Sequence, residues 1–335
     1  MKRILVTGGA GFIGSNFVRY MLDKYKDYQI FVLDALTYAG NRENIPETIW
    51  NDRRFFFIHG NICDRKLVNE LVSQVDQVVH MAAETHVDNS IYNTDDFVDT
   101  DVKGTQILLD AVRKNSTERF IHISTSEVYG TAMKEPMDEN QPLNPRSPYA
   151  AAKAAADRLA YSYYCTFDLP VVILRPFNNY GPYQHVEKLI PCFITRTIQH
   201  KWLPLHGNGK STRDWLYVGD TCKAIDKALH GNLDKLKGEV INVGTGKATS
   251  IIDITKKIIK YFDKSSSLIK HLNDRPGQVE KHLSSTKKAK DLLSWQDETP
   301  FDKGLKKTIQ WYEKNELWWL NLKLKHPELN NHDEN

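Results

Sequence analysis

Apolar residues in this chain gather in short, β-branched runs separated by longer stretches where they recur with helical spacing. Runs at 2–7, 29–33, 55–59, 77–81, 119–124 and 171–175 predict buried strands, and stretches 64–74, 97–114 and 149–167 predict helices among them. A glycine cluster at 8–14 predicts a turn, followed by a helix through Tyr25. Such alternation predicts an α/β fold, a doubly wound parallel sheet with helices on both faces. After Arg175 the rhythm changes to a Pro/Asn/Gly-rich loop at 176–183, short strands and helices, ending in an amphipathic stretch at 301–315. The expected division is a sheet-forming unit over 1–175, rejoined by 214–245 through the strand-like run 240–243, and a smaller C-terminal lobe mainly over 176–330. The polar tail beyond Pro327 is expected to fray.

Gly8, Gly11 and Gly14 form G-x-x-G-x-x-G between the first strand and the first helix. Glycine lets the backbone turn sharply there and approach a pyrophosphate held at the helix N-terminus. Tight turns use glycine without any ligand, so a second signal is needed. Asp34 supplies it by ending the next strand, 20 residues after Gly14, where a carboxylate can bind ribose hydroxyls. Together they predict a Rossmann-type dinucleotide site that includes Phe12 and Ile13. Ala35 and Leu36 follow Asp34, so no Arg stands beside it for a 2′-phosphate; this favours NAD over NADP, with Arg42 nearby as the contrary sign. Asn61 and Ile62, after the third strand, either flank the adenine or form an ordinary loop.

The 335 residues, 41% hydrophobic and 26% charged, have ordinary globular composition. A net charge of +3 with scattered Lys and Arg argues against a nucleic-acid partner and suits an anionic small molecule. Cys63, Cys165, Cys192 and Cys222 form no close pair, which predicts no metal site and a reduced, cytoplasmic compartment. Lys2 and Arg3 precede an apolar run, but glycines interrupt it within six residues, unlike a signal peptide. No apolar stretch reaches the ~18 residues of a membrane span.

Candidate chemistry lies in Ser124-Thr125-Ser126-Glu127, read with Tyr149 and Lys153. The i, i+4 pair puts phenol and ammonium on one helix face, where the ammonium can lower the phenol's pKa. Tyr20 and Lys24 repeat the spacing in a helix where packing and snorkelling are the expected roles. Ser147-Pro148 distinguishes the second pair by announcing a helix start downstream of the strand that ends in Ser124.

A glycine-rich turn, a strand end bearing Ser-Thr-Ser-Glu and a Tyr-x-x-x-Lys helix together resemble the extended short-chain dehydrogenase/reductase family over nearly the whole chain. The resemblance implies that Tyr149 is the general base during hydride transfer, with Lys153 and Thr125 assisting. The stretches 33–41, 82–88, 178–182, 187–191 and 213–216 are similar to the nucleoside-diphosphate-sugar (NDP-sugar) 4,6-dehydratases, notably those acting on dTDP-glucose. That likeness implies oxidation at C4, water loss across C5–C6 with Glu127 as base at C5, and hydride return to C6. It further implies Thr37, Ala82, Ala83, Thr100 and Asn179 near NAD; Thr85 and Asn178 at the sugar or diphosphate; and Lys188, Leu189, Pro204, His206, Arg213, Asn242, Arg275 and Gln278 on the nucleotide side. Arg213 is the best diphosphate clamp, because guanidinium offers a planar fork of donors. The family also implies a homodimer through the helices at 97–114 and 149–167.

Ser126 departs from the dTDP-glucose pattern, which has Asp there as the acid; serine's pKa lies too far from neutrality for that role. Ser-Glu is similar to GDP-mannose 4,6-dehydratases, so both base and acid duties are expected of Glu127. His206, Gln278, His282 and Asn61 also depart, and the stretch 275–279 with Ser126-Glu127 resembles dehydratases of GDP- or UDP-N-acetylglucosamine, leaving the base open. The rival readings are an NDP-sugar 4-epimerase, which needs no base at C5; a UDP-glucuronate decarboxylase; and a non-catalytic NAD-binding scaffold, against which the intact Tyr149, Lys153 and Glu127 argue.

Overall fold

The computed structural model describes residues 1–273 and 280–326. Arg275, Gln278 and the tail beyond Pro327 lie outside them.

Six strands come first: β1 (Lys2–Thr7), β2 (Tyr28–Asp34), β3 (Phe55–His59), β4 (Gln77–His80), β5 (Arg119–Ile123) and β6 (Val171–Pro176). Six more follow: β7 (Asn178–Tyr180), β8 (Leu203–His206), β9 (Thr212–Tyr217), β10 (Val240–Val243), β11 (Ala248–Ser250) and β12 (Ile269–Leu272). The main sheet has the order β10-β6-β5-β4-β1-β2-β3, with every neighbouring pair parallel. Order reverses between β1 and β4, and in such sheets ligands bind outside the strand C-termini at that point. Ile4, Val6, Ile30 and Val32 face one helical layer, Leu5, Leu33 and Val78 the other; both sets are fully buried, which explains the unbroken apolar runs.

β10 pairs with β6 in register Asn242↔Arg175, and the Val218–His230 helix packs on the Phe12–Lys24 helix through Ala224, Ile225, Val18 and Met21. β9 and β7 pair in a separate three-stranded sheet with β11. A third core, containing Phe193, Ile254, Tyr312, Trp318 and Trp319 with Trp311 packed against it, supports the smaller lobe.

The Pro148–Phe167 helix begins where the sequence signals it. The Ser147 hydroxyl accepts from Ala150 N at 3.1 Å, and Pro148 occupies the first turn, where no N–H is required. Asp168 closes the helix in the left-handed region at φ 54°. The predicted helix at 97–114 is not uniform. Val98–Gly104 widens into a π-helical turn before the regular Thr105–Asn115 helix, and Gly104 presses on Ile62, whose Cδ1 would stand 2.4 Å from an added Cβ. Such turns concentrate at functional sites, and this one brings Thr100 to the cavity described below.

Candidate active site

A cavity of about 890 Å³ opens at the strand C-termini and is walled on its far side by β8, β9 and the Leu189–Ile198 helix. The glycine turn forms one end. Gly8 takes φ +71° with an added Cβ only 2.7 Å from Ala82 N, and a Cβ on Gly14 would lie 2.2 Å from Gly8 O. Backbone alone fits there, which leaves the N-terminus of the Phe12–Lys24 helix open to an anion. Asp34 is held at its strand end by Ala10 N and Leu36 N, each at 2.8 Å. Each of its oxygens retains a lone pair for a ribose hydroxyl. Burial raises this carboxyl, and the two backbone donors oppose the rise. With Phe12, Ile13, Thr37, Asn61, Ile62, Ala82, Ala83, Thr100 and Asn179 also on the wall, the residues present fit a dinucleotide.

Tyr149 and Lys153 enter from the Pro148–Phe167 helix, and Thr125, Ser126 and Glu127 from the end of β5. Thr125 Oγ1 accepts from Glu127 N at 3.2 Å, capping the tight turn Ser126–Tyr129 and aiming the carboxylate. The Lys153 ammonium donates to Ile123 O at 2.9 Å, and burial lowers its pKa against the pull of Asp101 and Asp157. The phenol of Tyr149 is raised by burial, then by Asp101; the group that lowers it is the Thr125 hydroxyl. Lys153 therefore shares the helix face as its spacing predicts; one of its three N–H groups goes to the strand carbonyl, and the Thr125 hydroxyl is the group that lowers the phenol.

Thr85, Asn178, Leu189, Pro204, His206 and Arg213 also line the cavity, as does Lys188. The Lys188 ammonium is already engaged, 3.0 Å from Glu187 Oε1 and 3.1 Å from Thr85 O. Asn242 is a correction. Its amide is fully buried away from the cavity wall, accepting from Tyr129 Oη at 2.8 Å and donating to Met137 O at 3.0 Å. Its strand register beside Arg175 places it inside the sheet edge, so both amide functions are satisfied by protein.

Several groups of the site were not assigned from sequence. Glu84, His86 and Glu187 line the cavity, with His86 Nε2 3.3 Å from Glu187 Oε2. They lie within the stretches that carry the resemblance, but nothing in their spacing showed where they point. Asp101 is buried below Tyr149 and Lys153; its Oδ1 accepts from Glu84 N at 3.1 Å, and burial pushes its carboxyl up to about 7. Helical periodicity alone could not find it. Tyr20 and Lys24, by contrast, use the Tyr-x-x-x-Lys spacing structurally: both donate to Asp226, at 2.8 and 2.5 Å, remote from the cavity.

The family model described as GDP-mannose 4,6 dehydratase matches residues 5–308. The chain belongs to the NDP-sugar 4,6-dehydratase family of extended short-chain dehydrogenases/reductases. It is accordingly an NAD-dependent hydro-lyase. A dTDP-glucose 4,6-dehydratase from Streptomyces niveus is 43% identical, covering 96% of each chain. The low-salt glycan biosynthesis protein Agl12 from Haloferax volcanii is 46% identical over 92% of this chain and 98% of its own. A dTDP-glucose 4,6-dehydratase from Streptomyces venezuelae, crystallised with NAD, superposes with a TM-score of 0.91 at 41% identity, covering 96% of this chain and all of its own.

Proposed function

We propose that the chain acts on dTDP-glucose or a closely similar dTDP-hexose, and that Glu127 alone serves as base and acid in the elimination. The observation that carries the division of labour is the placement of Tyr149 and Glu127 on one cavity, with Ser126 the residue between Thr125 and Glu127. The dTDP-glucose dehydratases among the relatives, at about 40% identity across whole chains, support thymidine as the base.

Gly8, Gly11, Gly14 and Asp34 would hold NAD, which when bound supplies reversible hydride acceptance. Tyr149 takes the proton of the sugar 4-hydroxyl, and the Thr125 hydroxyl stabilises the phenolate by donating to it. Lys153 contributes a buried positive charge beside this pair. A carbonyl at C4 acidifies the proton at C5, and Glu127 removes it. The carboxylic acid so formed protonates the 6-hydroxyl as it leaves. Ser126, an alcohol, carries no proton acidic enough for this step. Arg213 faces the diphosphate end, where a guanidinium fork suits two phosphates.

The exposed Tyr161 and Phe167 on the Pro148–Phe167 helix support a homodimer through this helix and its neighbour at 105–115. The four free cysteines support a cytoplasmic enzyme. Among the described residues no helix is long and apolar enough to cross a membrane.

Turnover with dTDP-glucose, GDP-mannose and UDP- and GDP-N-acetylglucosamine tests the proposal. A 4-keto-6-deoxy product from the dTDP-sugar at the highest kcat/KM supports it; preference for a GDP- or UDP-sugar overturns the thymidine assignment.

A further inference from the structure

His282 follows a short bridge in which Thr212 and Lys281 pair, and its ring is fully buried behind the catalytic turn. Its Nε2 lies 2.8 Å from Gly130 O, and a carbonyl only accepts, so Nε2 carries the proton. The backbone fixes this arrangement from both sides. His282 N donates to Thr212 O at 3.2 Å, and Gly130 takes φ +63°, which an L side chain resists.

In the neutral ring Nδ1 must then be an acceptor. It is buried, has no hydrogen-bond partner among the described residues, and lies 3.7 Å from Glu127 Oε1. Two lone pairs facing each other at that distance repel. A proton on Nδ1 makes the pair ionic, and a proton on the carboxyl lets it donate to Nδ1; either draws the two atoms together into a hydrogen bond once the carboxylate turns a few tenths of an ångström closer. Among the described residues, the charged neighbours of the ring are Glu127, Arg213 and Asp214; burial and Arg213 disfavour the imidazolium, while Glu127 and Asp214 favour it. Phe177, edge-on at 6.2 Å, fills the remaining side with hydrocarbon.

We propose that His282 is the positioning residue that lets Glu127 work as both base and acid, by accepting a hydrogen bond from the Glu127 carboxyl on its Nδ1. This rests on the functional reading above. As an ion, Glu127 takes the C5 proton; the electron pair of that C–H bond becomes the C5–C6 double bond as the C6–O bond breaks. The proton departs with the hydroxyl as water, so no net proton is consumed. Between these events the acid form of Glu127 has its proton directed to Nδ1, which holds the carboxyl in one rotamer beside the sugar. Among the residues of the catalytic turn, Ser126 cannot share this proton at neutral pH.

The test combines two measurements. Elimination from a pre-oxidised 4-keto sugar is followed against pH for the unsubstituted enzyme, His282→Phe and His282→Asn, together with C4 oxidation by each. The expected result for His282→Phe is a loss in elimination of at least about tenfold, with C4 oxidation and KM little changed. His282→Asn, which restores a polar atom near the place of Nδ1, is expected to recover part of the loss with an altered pH profile. Unchanged elimination and pH profile in folded His282→Phe overturns the proposal. For variants that do not fold, the histidine ¹⁵N titration of the unsubstituted enzyme and Glu127→Gln decides instead: the His282 titration moves to lower pH when the Glu127 charge is removed. An unmoved titration overturns the pairing. If the unsubstituted enzyme oxidises no NDP-hexose, the functional reading fails, and the titration still decides the pair.

Discussion

Asp157 lies one turn beyond Lys153 on the helix that bears Tyr149, and Arg175 at the end of β6 clamps both its oxygens, Nε to Oδ2 and Nη2 to Oδ1, each at 2.8 Å. Arg175 also donates to Tyr129 Oη at 2.8 Å, which in turn donates to Asn242. This buried chain fixes the catalytic helix against the sheet, so the position of the phenol depends on a residue that never meets substrate.

Asp157→Asn leaves the Arg175 guanidinium buried without its counter-charge. The expected cost is about 3–5 kcal/mol of unfolding free energy, read from denaturant titration. Burial opposes ionisation of Asp157, but the hydrogen bonds and charge of Arg175, with Arg158, outweigh it and hold the carboxyl well below the usual range. A depressed carboxyl stabilises the fold above its unfolded value near 4 and loses that contribution as pH falls through the folded value. The substituted protein should therefore lose the corresponding acid limb of its stability profile.

Asp101 carries the opposite sign. Its carboxyl is pushed up to about 7 by burial, so it favours the fold while protonated, and that contribution is lost as pH rises from about 4 through about 7. Asp101→Asn keeps the shape and removes the charge. It should raise the melting temperature at pH 8 relative to the unsubstituted protein and leave it nearly unchanged at pH 4. Equal gains at both pH values would mean that the carboxyl is not what titrates.

Gly14→Ala drives a methyl group against Gly8 O, a backbone atom that cannot swing away. Overpacking of this kind costs about 1–3 kcal/mol. NAD affinity by calorimetry should fall at least about tenfold, because the turn that must approach the pyrophosphate is the one displaced. Unchanged affinity in the folded variant contradicts the assignment of this turn.

Ser126 and Glu127 make a paired prediction. Ser126→Ala should leave kcat within about threefold, because the alcohol is no acid near neutrality, whereas Glu127→Gln should lower elimination by about 10²–10⁴ while C4 oxidation persists. A large loss in Ser126→Ala, with elimination alone affected, would assign the serine a proton-transfer role after all.

Much of the sheet was legible in the sequence because its central strands are buried on both faces and read as continuous apolar runs, and even the half-exposed edge strand β3 keeps four apolar residues in a row. The run at 55–59 coincides with β3, and that at 240–243 with β10. Helix starts were legible where a cap was present, as at Ser147. The π-helical turn at 98–104 was not, since its residues keep a helical pattern while the backbone hydrogen bonding changes. The glycine turn and the Thr125–Glu127 segment announced the cavity because their chemistry is carried by adjacent residues. Asp101, Glu187 and His282 meet the site from separate elements, and only tertiary packing brings them there. Asn242 shows the converse: a polar residue at a strand end is as easily consumed by a neighbouring Tyr as offered to a ligand.

The most direct test of 4,6-dehydration uses dTDP-glucose deuterated at C4. The account predicts a 4-keto-6-deoxy product with the label recovered at C6 and no net accumulation of reduced cofactor. Recovery of an unreduced-mass hexose with the label still on C4 and inverted configuration there would contradict it, because that is the outcome of epimerisation without elimination.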